Sequence, residues 1–414
     1  MTGFARFVEL QKTTLKRKNK MAIRRLKSGV HSIRAIDWDR RLFDELIPLP
    51  DGTSYNTYLI QGSEKTALID TVDPTKEQEL IDNLNKLRVD NIDYIISNHA
   101  EQDHSGTIPK ILELFPNARV VTNQKCKGML KDLLLIPEDK FIEINDADTL
   151  SLGNKTLQFI IAPWVHWPET MLSYLKEDKI LFPCDLFGSH LATSDIYATD
   201  EAKVYDAAKR YYAEIMMPFR NLIKKHMEKL KQFKIEMIAP SHGPIYNRPE
   251  FILNAYRDWI SDQVKNEVII PYVSMHGSTD KMVNHLVDAL MKREITVKPF
   301  NLTKTDIGEL AKALVDAATI IIASPTVLIG PHPAAVYATY LANALRPKTR
   351  FVSVIGSYGW GGKMLEQISG IAGNLKVEIL STIIIKGYPK KEDFKALEKL
   401  ADEILVKHKE LRII

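Results

Sequence analysis

Cysteine is scarce in this sequence. Its 414 residues include two cysteines, Cys126 and Cys184, and no Cys-x-x-Cys pair. The chain therefore cannot build a disulfide framework, and it lacks the cysteine ligands of an iron–sulfur or rubredoxin-type site. Unpaired cysteines at this low number fit a reducing compartment, so we expect a cytoplasmic protein.

Long apolar runs and a strong net charge are also missing. No apolar run in the sequence approaches the roughly 20 residues that a membrane helix needs. The net charge of +4 is too small to indicate a nucleic-acid surface. A composition of 45% hydrophobic and 26% charged residues is typical of a globular protein. We therefore expect neither a membrane nor a nucleic acid among its partners.

The length of the chain and a change in the pattern of predicted strands and helices indicate two domains. A chain of this length is too long for one ordinary core. Residues 1–24 contain "LKRKNK" but no apolar stretch with a cleavage site, so we interpret them as a basic extension and not as a secretory signal. Residues 25–264 mix short strands with helices, whereas residues 265–414 alternate strand and helix five times. Strict alternation predicts a parallel, doubly wound sheet in this second domain.

The stretch "SNHAEQDHSG" crowds possible metal ligands into a short loop. His99, Glu101, Asp103 and His104 fall within six positions, directly after the apolar run "IDYII", which we interpret as a buried strand. Imidazoles and carboxylates at this density are costly to desolvate unless a cation neutralises them. For this motif alone, a polar surface turn remains the alternative interpretation.

Three more side chains of ligand type follow apolar strands elsewhere in the chain. They are His166 in "APWVHWPET", Asp185 in "LFPCDLFG" and His242 in "IAPSHGP". The carboxyl ends of neighbouring strands can gather their loops into one site, and chance does not readily place ligand types at four strand ends. The sequence therefore predicts a metal centre in the N-terminal domain.

The ligand series resembles that of a known superfamily. The pattern H-x-E-x-D-H followed by H, D and H is similar to the series of the metallo-β-lactamase-like αββα sandwich. Most hydrolases of that superfamily have histidine at the third motif position and bind zinc. This chain has Glu101 at that position, and the resulting H-x-E-x-D-H pattern resembles that of the flavodiiron proteins. Flavodiiron proteins carry a flavodoxin-like domain after the sandwich. The resemblance runs from about residue 25 to the end and implies an α/β chain of these two domains.

The resemblance also implies how the ligands divide between two metals. One metal would be held by His99, Glu101 and His166, the other by Asp103, His104 and His242, and Asp185 would bridge them. Replacing an imidazole by the carboxylate of Glu101 makes the site harder and more anionic, which suits iron that must reach the ferric state. Ligand type alone leaves zinc and manganese open, so iron is implied by the resemblance.

Three loops in the C-terminal domain indicate a flavin site. The loop "VSMHGST" opens a helix whose N-terminal amides suit a phosphate. The sequence around it has neither G-x-G-x-x-G nor a Walker lysine, so a mononucleotide fits better than a dinucleotide, although an ordinary strand–helix turn would look similar. The loops "ASPTVLIGPHP" and "GSYGWGG" follow two further strands, at the edge where such sheets bind ligands.

All three loops resemble the FMN loops of flavodoxins. The resemblance implies FMN contacts by Ser274, Met275, His276, Gly277, Ser278, Thr279, Ser324, Pro325, Thr326, Val327, Leu328, Gly330, Ser357, Tyr358, Gly359, Trp360, Gly361 and Gly362.

Five further residues bear on the metal pocket. His190 and Tyr197 follow Asp185 closely in the sequence and are candidates to line the pocket. Many family members have a histidine near the metals in the segment where this chain has Asp44 and Glu45. This departure means that the resemblance does not fix the route of the substrate or the source of protons. Cys184 is expected to be a small core residue and not a ligand.

The resemblance implies a flavodiiron oxidoreductase that reduces O2 to water, NO to N2O, or both, with FMN and two iron ions as cofactors. It implies an external electron donor, which would be rubredoxin, a rubredoxin reductase chain or reduced F420, and a head-to-tail homodimer or a dimer of dimers. The alternatives are a zinc hydrolase with a flavodoxin-like appendage and a non-enzymatic electron carrier. Glu101 and the flavin loops argue against the hydrolase, and seven ligand-type residues argue against the carrier. The sequence does not distinguish O2 from NO.

Overall fold

The computed structural model describes residues 23–414, which form two compact units. The described part of the first unit comprises residues 23–45, Leu49–Tyr211 and Asn221–Tyr256, and the second comprises Leu46–Pro48, Tyr212–Arg220 and Arg257–Ile414. Apart from its last two residues, the predicted basic extension at 1–24 lies outside the described residues. The domain boundaries at residues 24 and 264 stay predictions.

The first unit contains a mixed sheet of seven strands in the order β1-β2-β5-β6-β7-β8-β9. The strands from β1 to β6 pair antiparallel, and those from β6 to β9 pair parallel. The bounds are β1 Ile23–Lys27, β2 Val30–Asp37, β5 Thr53–Gln61, β6 Thr66–Ile69, β7 Tyr94–Ile96, β8 Arg119–Thr122 and β9 Phe141–Glu143. Two short strands lie outside this sheet: β3 is Leu42–Phe43, and β4 is Ile47–Pro48, in a segment of the second unit.

A second sheet of the same unit follows the chain order from β10 to β14. Its strands pair antiparallel except for β13 and β14, which are parallel. Their bounds are β10 Thr149–Ser151, β11 Thr156–Ile161, β12 Met171–Leu175, β13 Ile180–Phe182 and β14 Met237–Ile238.

The helices up to residue 259 are α1 Glu77–Lys86, α2 Gln102–Ser105, α3 Ile108–Leu114, α4 Gln124–Leu134, α5 Glu201–Tyr211, α6 Arg220–Leu230 and α7 Glu250–Trp259. A π-helical turn at Tyr212–Met216 and a 3₁₀ turn at Met217–Phe219 lie between α5 and α6. The sequence predicts two long helical segments over residues 199–233, and the structure has helices there.

Alternation along the strands explains the layers of the first unit. Side chains of one strand point to opposite faces of the sheet. In β6, Leu68 joins the apolar cluster that includes residues of α1, α3 and α4. Its neighbours Ala67 and Ile69 join a second cluster, shared with strands of the second sheet. The seven-stranded sheet is therefore covered by helices on one face and by the second sheet on the other, which is the predicted sandwich.

The second unit is built on a parallel sheet in the order β16-β15-β17-β19, as the alternating pattern predicts. The short β20 and β21 both pair with β19, and β18 pairs antiparallel with β17. The bounds are β15 Lys265–Tyr272, β16 Thr296–Asn301, β17 Ala317–Val327, β18 Gly330–Pro331, β19 Phe351–Tyr358, β20 Glu378–Ile379 and β21 Ile383–Lys386. The helices are α8 Ser278–Met291, α9 Ile307–Leu314, α10 Pro333–Leu345, α11 Met364–Ile371 and α12 Lys391–Glu410.

The apolar segment "VEILSTIII" in the sequence predicts one strand, the last of the five that alternate with helices, but the structure differs. The segment forms the two short strands β20 and β21, with a break between them. At the break, the hydroxyl of Ser353 donates to the carbonyl oxygen of Ser381 over 2.7 Å. In a continuous strand, this carbonyl oxygen would accept a backbone hydrogen bond from β19. Both strands remain parallel to β19, so the topology is as predicted.

Among the helices of residues 23–414, none combines the length and the apolar character that crossing a membrane requires.

Candidate metal centre and flavin pocket

The structure brings all seven predicted metal ligands together at strand ends of the first unit. His99 and Glu101 follow β7, and Asp103 and His104 lie in the short helix α2 directly after them. The other three follow strands: His166 lies between β11 and β12, Asp185 follows β13, and His242 follows β14. Six of the seven residues are buried, and His166 keeps 17% of its side chain exposed. The strands deliver these polar groups to one place because their carboxyl ends share an edge of the sandwich.

The ligand atoms of four residues form the first of two groups. One ligand atom each of His99, Glu101, His166 and Asp185 lies within 4.8 Å of all the others. Oε2 of Glu101 lies 3.1 Å from Nε2 of His99 and 3.0 Å from Nε2 of His166. Oδ2 of Asp185 lies 3.5 Å and 3.6 Å from the same two nitrogens. This is the set that the resemblance assigns to one metal, with the bridging aspartate.

The second group consists of Asp103, His104 and His242, again within 4.8 Å of one another. Nε2 of His242 lies 3.1 Å from Oδ2 of Asp103, and Nε2 of His104 lies 3.3 Å from Oδ1 of Asp103. Oδ1 of Asp185 lies 3.0 Å from Nε2 of His104 and 3.3 Å from Nε2 of His242. The two oxygens of Asp185 therefore face different groups, as a bridging carboxylate requires.

Unsatisfied buried atoms support a metal at this place. Both carboxylate oxygens of Asp103, Nε2 of His104 and Oδ2 of Asp185 are buried and make no hydrogen bond of acceptable geometry. Buried polar atoms are normally hydrogen-bonded, so such a concentration of exceptions requires an explanation. Nitrogen and carboxylate donors suit iron among the first-row metals, so the residues fit a two-iron centre.

The pKa shifts of these groups indicate that the pocket favours bound positive charge. Burial alone would raise the pKa of Glu101, but the hydrogen bonds from His166 and His99 outweigh burial and lower that pKa. Burial alone would lower the pKa of His242, but Asp103 and Asp185 raise it to about 10. Protons on the imidazoles thus balance the carboxylates, and metal ions would displace these protons on binding.

Three groups that hold the ligands were not predicted from the sequence. Nδ1 of His99 donates to Oε1 of Glu169 over 2.7 Å, and Nδ1 of His242 donates to the carbonyl oxygen of Ser54 over 2.8 Å. The hydroxyl of Tyr211 donates to Oδ1 of Asp185 over 2.8 Å. Glu169 lies in the same "HWPET" stretch as a predicted ligand, which is its only signal, and Tyr211 carries no signal because it lies far along the chain from every motif.

Of the two candidate pocket residues, only His190 lies beside the ligands. Its ring centroid is 4.9 Å from that of His242, and Nδ1 is hydrogen-bonded to Oγ1 of Thr53 at 2.9 Å. Burial, followed by the neighbouring His242, lowers the pKa of His190 and keeps it neutral. Tyr197 lines a different pocket of about 260 Å³, and none of the seven ligands lines that pocket.

Asp44 contacts the metal cluster, as its place in the sequence suggests. Burial and the neighbouring Glu101 raise the pKa of Asp44 to about 6. Asp44 and Glu45 both adopt the left-handed backbone region, with φ of 49° and 50°. Cys184 is fully buried, and its Sγ lies within 4.8 Å of ligand atoms of the adjacent Asp185 and of His104. Burial raises the pKa of the Cys184 thiol, in keeping with a core residue.

A second pocket of about 260 Å³ lies in the second unit, at the carboxyl ends of its strands. Eleven of the predicted FMN residues line it, namely Ser274, Met275, His276, Ser278, Thr279, Pro325, Thr326, Ser357, Tyr358, Gly359 and Trp360. Gly387, which follows the last strand in "IIIKGYP", lines it too and was not predicted. The lining does not include Gly277, Ser324, Val327, Leu328, Gly330, Gly361 and Gly362.

The first loop of this pocket has the geometry of a phosphate cradle. Gly277 precedes α8 in the left-handed region with φ of 86°, which glycine adopts without strain. The hydroxyl of Ser274 accepts a hydrogen bond from the amide of Asp280 and thereby ties the loop to the first turn of the helix. The amides at the start of a helix have no partner within the helix and favour an anion such as a phosphate group.

Several known proteins are similar to this chain. The family model described as ODP family beta lactamase matches residues 53–243. The chain is 35% identical to the nitric oxide reductase of Moorella thermoacetica, over 91% of this chain and 96% of that protein. It is also 35% identical to the coenzyme F420H2 oxidase of Methanothermobacter marburgensis, over 83% of this chain and 88% of that protein. The chain belongs to the flavodiiron protein family.

A solved structure of another flavodiiron protein has the same fold. The rubredoxin oxygen:oxidoreductase from Desulfovibrio gigas superposes with a TM-score of 0.90 at 27% identity, over 95% of this chain and all of that chain. The predicted fold class, a metallo-β-lactamase-like sandwich followed by a flavodoxin-like domain, is thereby confirmed.

The chain is accordingly a flavodiiron oxidoreductase, and the relatives do not support the zinc-hydrolase alternative. The predicted cofactors, FMN and a diiron centre, are confirmed at the level of the family and agree with the cluster of histidines and carboxylates. The individual ligands and FMN contacts of this flavodiiron chain stay predictions.

Proposed function

We propose that this chain reduces O2 to water, NO to N2O, or both, at two iron ions that receive electrons through FMN. The observation that carries the proposal is the division of seven ligands into two groups that share Asp185, with one carboxylate oxygen facing each group. When bound, FMN and a ferrous pair each supply two electrons, which together match the four that convert O2 to two waters.

The predicted ligand residues of the chain would hold and orient the metal pair. We call the site of one ion the first position, and it would be formed by His99, Glu101 and His166. The site of the other ion is the second position, and it would be formed by Asp103, His104 and His242. Asp185 would hold both ions at a fixed separation. Carboxylates at three of the seven ligand positions offset cationic charge and favour the ferric state more than an all-histidine set does.

Residues of the flavin pocket would bind FMN through its phosphate and its ring. The amides and hydroxyls at Ser274 to Thr279 suit the phosphate, because they open α8. Tyr358 and Trp360 line the same pocket and offer aromatic surface to the ring. A single phosphate cradle among the described residues supports a mononucleotide and not FAD or NAD.

Two titratable side chains beside the metal ligands, Asp44 and His190, would take part in proton transfer. Asp44 contacts Glu101 at the cluster, and it stands where many relatives have histidine. Both residue types can hold a proton, so Asp44 can take the place of that histidine in delivering protons to a substrate oxygen. His190 is buried beside His242, and its Nε2 has no hydrogen-bond partner among the described residues. It would present a neutral nitrogen to the pocket.

The substrates and electron donors that we propose are supported by the names of the relatives. Relatives are named for NO reduction, F420H2 oxidation and rubredoxin-dependent O2 reduction, so we propose O2 and NO as substrates and rubredoxin, a rubredoxin reductase chain or reduced F420 as donor. We also propose a head-to-tail homodimer, alone or paired as a dimer of dimers, and a cytoplasmic location, which the two unpaired cysteines support.

The proposal is tested by analysing the cofactors and then the turnover of the same preparation. Acid release and mass analysis should yield about one FMN per chain, and metal analysis after anaerobic reconstitution should yield about two irons. Uptake of O2 and of NO is then measured with each reduced donor. Recovery of FAD or NAD, or a protein that holds two irons and FMN but reduces neither gas with any donor, would refute the proposed function.

A further inference from the structure

We propose that the two metal positions differ in strength because of two residues outside the ligand set, Glu169 and Tyr211. Glu169 strengthens the first position and Tyr211 weakens the second, so a divalent transition-metal ion fills the first position before the second. Both act through ligands and are positioning residues. This inference rests on the proposed function, since it requires that the centre hold two ions.

Glu169 acts on the first position through His99. Its Oε1 accepts from Nδ1 of His99 over 2.7 Å, and both side chains are fully buried. A carboxylate in this role leaves Nε2 of the imidazole to face the metal and raises its donor strength. The amide of Ala100 donates to the same oxygen over 3.0 Å, so Glu169 is itself fixed in place. Because water is excluded, this negative charge is weakly screened.

At the second position, His242 lacks an equivalent carboxylate behind its imidazole. Nδ1 of His242 donates to the carbonyl oxygen of Ser54 over 2.8 Å, which is a neutral acceptor. The side chain next to it is His190, whose ring centroid is 4.9 Å away and whose partner is the hydroxyl of Thr53. These neighbours fix the orientation of His242 without adding negative charge, so its donor strength is raised less than that of His99.

Tyr211 acts on the oxygen of Asp185 that faces the second position. Oδ1 of Asp185 is 3.0 Å from Nε2 of His104 and 3.3 Å from Nε2 of His242, whereas Oδ2 faces the first position. The buried hydroxyl of Tyr211 donates to Oδ1 over 2.8 Å. It therefore draws electron density mainly from the oxygen that would bind the second ion and affects Oδ2 less. Glu169 and Tyr211 thus act in the same direction.

The test is a titration of the metal-free full-length protein with Co²⁺ under anaerobic conditions, followed by visible absorption. Wild type should bind two ions in two resolved steps. Glu169→Gln keeps an acceptor for His99 but removes the charge, so the tight step should weaken by about 10- to 100-fold with the weak step unchanged. Tyr211→Phe removes one hydrogen bond to Asp185, so the weak step should tighten roughly fivefold.

Two variants serve as matched controls. Asp70→Asn changes a buried carboxylate that anchors the same loop through the amide of Asn98 at 2.8 Å, and it should not weaken the tight step selectively. Tyr246→Phe removes a buried hydroxyl that donates to the carbonyl oxygen of Phe187 at 3.0 Å, and it should leave both steps unchanged. Equal weakening of both steps by Glu169→Gln, or no change in either, would overturn the inference.

A measurement on wild type keeps the inference testable if the variants do not fold. Crystals loaded with one equivalent of Co²⁺ should show anomalous density at His99, Glu101 and His166. Density shared equally between the positions, or found first at Asp103, His104 and His242, would overturn the inference while leaving the proposed function intact. Binding of fewer than two ions by wild type would instead refute the two-metal centre, and the inference with it.

Discussion

At the scale of single residues, the carboxylate of Glu101 separates this centre from its hydrolytic relatives. Its Oε2 lies about equally far from Nε2 of His99 and Nε2 of His166, at 3.1 Å and 3.0 Å. An imidazole in its place would complete the H-x-H-x-D-H pattern and remove one negative charge from the first position. A less anionic site with more nitrogen donors favours zinc.

We expect Glu101→His to bind zinc in preference to iron while still holding FMN, because the flavin loops lie in the other unit. The protein should stay yellow and accept electrons from its donor, yet consume O2 only at the slow rate of free reduced flavin. Metal content after reconstitution with equal iron and zinc, and O2 uptake, provide the measurement. A variant that holds two irons and turns over at the wild-type rate would show that the carboxylate is incidental.

Asp185 and Asp103 form a natural pair for comparison, because one faces both positions and the other faces only the second. We expect Asp185→Asn to lower the affinity for both ions and to reduce activity far more than flavin content, since an amide cannot supply the bridging charge. Asp103→Asn should release one ion. Metal and flavin analysis checks this, and near-normal turnover of Asp185→Asn with two bound metals would contradict the bridging role.

The ligands remain predictions, but their residues have a signal in the sequence, because side chains of ligand type follow four apolar strands. His166, Asp185 and His242 share this signal although they are far apart along the chain. Glu169 and Tyr211 have no such signal, because their contribution depends on which imidazole or carboxylate the fold places beside them. Hydrogen bonds between distant segments cannot be inferred from spacing.

At the scale of elements, β5 holds the loop that carries His242. The side-chain amide of Asn56 donates to the carbonyl oxygens of Pro240 and Gly243, at 2.9 Å and 2.8 Å. From the same strand, the hydroxyl of Tyr58 donates to the carbonyl oxygen of Pro240 over 2.6 Å. These bonds flank His242 on both sides, so the strand fixes a ligand that it does not itself contain.

We expect Asn56→Ala to weaken metal binding at the second position and to destabilise the first unit by about 1–3 kcal/mol, because two buried carbonyl groups lose their donor. Asn83→Ala, an equally buried asparagine whose side chain accepts from Lys86 on α1, should leave metal binding unchanged. Co²⁺ titration and urea unfolding provide the measurements. Unaltered affinity at both positions in Asn56→Ala would contradict the role of the strand.

Strands and helices were predicted well where a regular hydrophobic pattern continued over many residues. They were predicted less well where a side chain from another strand interrupts the backbone pairing. The parallel strands of the second unit were predicted from strict alternation with helices. The break between β20 and β21 was not, because it involves Ser353 on a different strand, which bonds the carbonyl oxygen of Ser381. Whether a strand is continuous at such a point depends on the side chains of the adjacent strand more than on its own β-propensity.

At the scale of the whole molecule, each unit carries one site and its own core. The metal cluster belongs to the first unit and the flavin pocket to the second. Flavin content is therefore an internal control for variants of the metal cluster. The second unit also contains a buried histidine, His408 on α12, which is hydrogen-bonded to Asn266 and Thr319, each at 2.8 Å.

We expect the second unit to lose stability as the pH falls from about 6.5 to about 4. Burial lowers the pKa of His408 to about 4, whereas an unfolded histidine titrates near 6.5, so the unfolded chain takes up the proton first over this range. The contribution of His408 is fully present above pH 6.5, and its loss amounts to at most about 3 kcal/mol below pH 4.

Hydrogen exchange of α12 at several pH values, corrected for the intrinsic exchange rates, measures this loss where it arises. His408→Gln should be less stable at pH 7 but should lose little further protection on acidification, because glutamine does not titrate. His285→Gln, a change at a partly exposed histidine on α8 beside Glu398, should keep the wild-type slope. If His408→Gln and wild type lose protection in parallel between pH 6.5 and 4, the acid sensitivity arises from other groups and His408 serves only in packing.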